Sequence, residues 1–92
     1  MTKDEVNTIL QSIIIKNFRV DAEHFYWDKP IESINEDFKT LGYLVFLEQL
    51  INKKFKTKVP ILENIISNIH TPNDISNLIL KELSDLKRLK KI

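Results

Sequence analysis

A single glycine in 92 residues sets the first limit on this chain. Tight hairpins draw on glycine for positive φ, and three prolines add little to the turn-forming supply. Isoleucine and leucine carry most of the apolar content. Such a chain is expected to be all-α, with helices joined by open connections. Its length makes one small domain, residues 1–92, near the lower limit for burying a sufficient core without staples.

Composition removes several function classes. With no cysteine and only His24 and His70, neither disulfides nor a metal site is expected. No apolar run approaches the roughly 18 residues of a membrane span, and no charged-then-apolar leader opens the chain. No membrane partner is therefore expected, and the location expected is the cytoplasm. The charge is uneven: residues 1–46 hold five Lys and Arg against eight Asp and Glu, residues 47–92 nine against five. Lys53, Lys54, Lys56 and Lys58 form one basic cluster, and Lys87, Arg88, Lys90 and Lys91 a second. Nucleic-acid binders use such clusters, but solvated helix ends favour cations too. No nucleic-acid partner is expected.

Helical periodicity divides the chain into four segments. Thr2 and Glu5 fit a capping box ahead of Val6, Ile9, Leu10, Ile13 and Ile14, giving a first helix to about Asn17. A connection of roughly 18 residues, "FRVDAEHFYWDKPIESIN", exceeds the usual helix–helix loop and is expected to pack on the body of the fold. The second helix covers about 37–54. A short third begins at Pro60 in "PILENIISNI". The last opens at Thr71-Pro72-Asn73-Asp74, a cap followed by proline and an acid, and carries Ile75, Leu78, Ile79, Leu83, Leu86 and Leu89.

In that order, "NKKFKTKVPI" and "NIHTPNDISNLILKEL" resemble the acyl and peptidyl carrier proteins, including the D-alanyl carrier proteins. The first is similar to the family's acidic-x-x-Phe turn before an Ile/Val-Pro pair, the second to its Thr-x-x-Asp/Asn-Ile helix start. The resemblance covers about residues 5–83 and leaves a basic tail at 84–92. It implies a four-helix acyl-carrier-protein-like bundle with a long first loop and a short third helix. It also implies 4′-phosphopantetheine on the serine of an Asp-Ser-Leu motif opening the second helix, where the phosphate meets unpaired N–H groups and the positive dipole end.

That serine is missing. Counting back from Phe55 puts Leu41 in its place, one inserted residue moves it to Thr40, and aligning on Leu47-Glu48 gives Asp37 or Phe38. Residues 34–66 contain no serine. Thr40 has a hydroxyl but a crowding methyl; Ser33, in "IESI", imitates the motif locally, yet Asp37 and Lys39 then fall at apolar positions. No modification is expected at the usual place.

The family's second helix presents acids to basic partners. The corresponding outward positions here are Tyr43, Phe46, Asn52 and Lys53, with only Glu48 acidic in the helix body. So apolar a helix is either wrapped, with Phe25, Tyr26 and Trp27 covering one side, or exposes a patch for a partner. Tyr43, Phe46 and Lys53 are the partner-binding candidates. "HFYWDKP" is expected to be a hydrophobic plug, the alternative being a partner anchor. Glu32, Glu36 and Asp37 lack a basic or nucleophilic companion and suit a helix N-terminus, so catalysis by this chain alone is not expected. Two readings stay open. One is a carrier-like protein acting with acyl- or aminoacyl-transfer enzymes. The other is an arm-less carrier fold acting as an interaction or regulatory module, with a homodimer among its possible assemblies.

Overall fold

The computed structural model describes residues 2–65 and 70–90, with the side chain of Ile65 and those beyond Asp85 left aside. Among these residues every regular element is helical: α1 (Lys3–Asn17), α2 (Ile31–Ile34), α3 (Leu41–Phe55), α4 (Ile61–Ile65) and α5 (Pro72–Lys90). The all-α expectation holds. Single 3₁₀ turns at Ala22–His24 and Glu36–Lys39 complete the order.

Local chemistry accounts for the ends of the helices. Thr2 Oγ1 accepts the Glu5 N–H at 3.2 Å while Glu5 Oε1 accepts the Thr2 N–H at 3.1 Å, so two orphan donors of α1 are satisfied reciprocally. Arg19, at φ 53°, turns the chain out of α1, and Lys56, at φ 54°, closes α3 as a left-handed cap. At α5, Asp74 N–H donates to Thr71 Oγ1 at 3.1 Å. Asp74 Oδ2 accepts the N–H groups of His70 and Thr71 at 3.0 and 3.1 Å. Pro72 occupies the first helical position, where no N–H is needed.

The core forms where three helical faces meet. α1 contributes Val6, Leu10, Ile13 and Ile14, α3 contributes Leu44, Leu47, Ile51 and Phe55, and α5 contributes Ile75 and Ile79. α1 packs on both α3 and α5. Polar links cross the α1–α5 seam as well: buried Ser76 donates its hydroxyl hydrogen to Asn7 Oδ1, and the exposed Lys3 ammonium donates to Asn77 Oδ1 at 3.1 Å. Phe55, Val59 and Ile75, the residues that must fold the end of α3 back onto α5, are all buried.

The long connection is more structured than its sequence suggests, and this alters the four-segment reading. It contains α2 and the Glu36–Lys39 turn, so α3 starts at Leu41 rather than near residue 37. Ile31 and Phe38 are buried, and two backbone bonds strap the loop to the start of α5: Ile31 N–H to the His70 carbonyl at 2.9 Å, and Asn73 N–H to the Trp27 carbonyl at 3.1 Å. "HFYWDKP" is a plug in part. Phe25 is buried with Trp27 edge-on at 4.8 Å, whereas Tyr26 faces outward with the Lys29 ammonium 4.4 Å from its ring centre. Residues 66–69 of the expected short helix, the outer stripe positions Leu86 and Leu89, and the side chains of the basic tail beyond Asp85 lie outside what is described. Among the described residues no helix is long and apolar enough to cross a membrane.

Candidate functional site

Asn35 sets the entry to α3. Its Nδ2 donates to the Phe18 carbonyl at the end of α1 at 2.6 Å, and its Oδ1 accepts the Asp37 N–H at 2.8 Å. The turn that follows drives Phe38 against Phe18, with ring centres 4.7 Å apart. The end of α1 and the beginning of α3 are thereby fixed together.

Thr40 is the cap of α3, but only through its backbone. Its carbonyl accepts the N–H groups of Tyr43 and Leu44 at 3.2 and 3.3 Å, and its exposed side chain makes no capping bond. Leu41 is the first helical residue and stands 67% exposed. Of the four registers for an attachment residue, the ungapped one puts an exposed leucine on the first turn of α3. Phe38 is core, and Asp37 belongs to the preceding turn. Ser33 is exposed on four-residue α2, with its N–H donated to the Pro30 carbonyl at 2.9 Å, and so it is not at the start of α3.

Tyr43, Phe46, Leu50 and Lys53 follow one another at spacings of three and four, and so share one stripe of α3. Tyr43 and Phe46 keep 43% and 40% of their surface exposed. The ring beneath them is Phe18, with centres 6.3 Å from Tyr43 and 5.5 Å from Phe46. Cover for this side of α3 therefore comes from the end of α1, where the sequence pointed to Phe25, Tyr26 and Trp27. The cover is partial, because Phe18 is one ring beneath two.

Further along the stripe α1 and α3 line a groove of about 650 Å³. Ile9, Ile13 and Leu50 form its floor, and Lys16, Lys53, Lys54 and Lys56 its rim. None of the described residues lining it is acidic. Of these the sequence put only Lys53 among the partner-binding candidates, with Lys54 and Lys56 beside it in a basic cluster. Ile9, Ile13 and Lys16 were recoverable as one face of α1, but their meeting with the lysines of α3 depends on tertiary packing.

Glu48, the one acid in the body of α3, faces inward to α4. Its Oε2 accepts the Leu62 N–H at 2.9 Å, an orphan donor in the first turn of that helix. Asn52 Oδ1 likewise accepts the Val59 N–H at 2.7 Å. Both polar groups, of which the sequence placed Asn52 outward, are therefore engaged in shaping the α3–α4 turn. Acidic docking groups on α3 are correspondingly scarcer than the sequence implies. A perturbed carboxyl lies at the start of α5: the His70 N–H, opposed by burial and aided by Thr71, holds Asp74 below the usual carboxylate range. Among the described residues no three His, Asp or Glu side chains gather as a metal site would require. No protein-family model, no curated protein and no solved structure matches the chain.

Proposed function

We propose that this chain is a carrier-like docking protein. In this reading α1, the long connection, α3, α4 and α5 are the acyl-carrier arrangement in order, the outer face of α3 binds a protein partner, and no phosphopantetheine is attached at the usual position. An acyl- or aminoacyl-transfer enzyme is the partner class that the resemblance implies, and the chain itself catalyses nothing.

The observation that carries the reading is Leu41. It stands exposed on the first turn of α3, where the dipole and unpaired N–H groups would receive a phosphate. A leucine side chain offers no oxygen to esterify. The adjoining surface is half-exposed aromatic and then cationic, which suits burial against a protein rather than steering toward a basic enzyme. A second reading, attachment at Thr40, has one observation behind it: the hydroxyl is exposed and not spent on the cap.

Tyr43→Asp with Phe46→Asp tests the docking face. The doubly substituted protein is expected to keep its helical circular dichroism while losing self-association and complex formation with purified acyl- and aminoacyl-transfer enzymes. Loss of the helical signal would instead assign both rings to the core and remove the docking surface.

A further inference from the structure

We propose that the lysine-rimmed groove between α1 and α3 takes a short acidic amphipathic helix of a protein partner. This deepens the docking reading above and rests on it. The groove lies in the seam of two packed helices, where side-chain ridges of a third helix find an apolar bed. Ile9, Ile13 and Leu50 supply that bed, and exposed Phe46 extends it toward the start of α3.

Charge identifies the occupant. Lys16 belongs to α1, whereas Lys53 and Lys54 belong to α3 and Lys56 to its cap, so cations approach the floor from both walls. The wall formed by residues 8–17 of α1 is about 14 Å long, enough for two to three turns of a bound helix. One fatty-acid head would neutralise one of the four ammonium groups. A flat anionic bilayer meets a recessed floor poorly, and a nucleic-acid backbone has no use for an apolar one. An apolar stripe flanked by several carboxylates matches both features. Beyond Ile9 the surface changes sign, since Asp4 and Glu5 line a shallow depression with Thr8. The partner's acids therefore lie along the lysine rims, and its end near Thr8 is neutral or basic.

Exposed lysines each contribute little, but together they steer association and make it salt-sensitive. The probe is a fluorescein-labelled peptide of about 18 residues, five helical turns, with leucines at helical spacing flanked by glutamates. Its control replaces each glutamate with lysine. Anisotropy titration of the full chain should show saturable binding of the glutamate peptide, at least about tenfold weaker binding of the lysine peptide, and weakening with salt. Lys53→Glu with Lys54→Glu should reduce affinity by about tenfold or more, and the milder Lys53→Gln with Lys54→Gln by less. Lys81→Glu, exposed on α5, should change nothing. Equal binding of both peptides, no binding, or indifference to the Lys53 and Lys54 changes would overturn the proposal. So would displacement of the peptide by palmitate, preference for phosphatidylglycerol vesicles, or self-association that depends on Lys53 and Lys54. An unmodified chain that ignores the peptide refutes the groove assignment alone, whereas phosphopantetheine found on the chain refutes the docking reading itself.

Discussion

Glu48 separates a structural role for the acid of α3 from a docking role. Its carboxylate accepts the Leu62 N–H at 2.9 Å in a part-buried setting, close to the start of five-residue α4. A hydrogen bond to a charged acceptor contributes roughly 1.5–3 kcal/mol net, and loss of a helix cap costs about 0.5–2 kcal/mol. Partial exposure places this bond at the low end. Alanine's higher helix propensity within α3 returns a few tenths, roughly 0.3 kcal/mol. Glu48→Ala should therefore destabilise by about 1 kcal/mol, or about 4–8 °C in Tm for a domain of this size. Glu48→Gln keeps an acceptor oxygen without the charge and should fall between wild type and Glu48→Ala. Urea melts should show a lower midpoint with an unchanged slope, and amide exchange should quicken at Leu62 before the centre of α3. A Glu48→Ala protein within about 0.3 kcal/mol of wild type, with Leu62 exchange unaltered, would refute the cap. It would return the carboxylate to solvent as a docking group.

Two further outcomes follow from the core and from α5. Phe55→Ala should cost about 3–5 kcal/mol, because Phe55 is only 7% exposed beside buried Ile51 and Val59; a loss below about 1 kcal/mol in denaturant would put its ring outside the core. Asp74 has a folded-state pKa below its unfolded value, so its contribution to stability is fully present above about pH 4 and is lost as pH falls through the folded value. The stability difference between wild type and Asp74→Asn should therefore be flat above about pH 5 and shrink on acidification; a difference that grows toward acid would reverse the sign.

What could be read from the chain was local. The Thr2–Glu5 box, the Thr71-Pro72 start and the apolar spacing of α1 depend on residues within one or two turns, so sequence alone placed them. α2 and the Glu36–Lys39 turn are too short to nucleate by propensity. They exist because Ile31 is tied to His70 and Asn35 to Phe18, contacts between residues 39 and 17 positions apart in sequence. The same distinction divides the site. Tyr43, Phe46 and Lys53 were visible as outward positions of one helix, whereas the ring beneath them and the other lysines of the groove come partly from α1. The role of Glu48 was hidden for the same reason, since its partner in α4 lies 14 residues ahead.

The central claim is that this helical fold docks without an arm, and the intact mass of the chain tests it most directly. The protein would be co-expressed with a broad-specificity phosphopantetheinyl transferase, purified and weighed beside an ordinary carrier protein modified in the same cells. The account predicts that the carrier gains one phosphopantetheine group and this chain gains none. A gain of that group, mapped by fragmentation to Thr40 or Ser33, would contradict it.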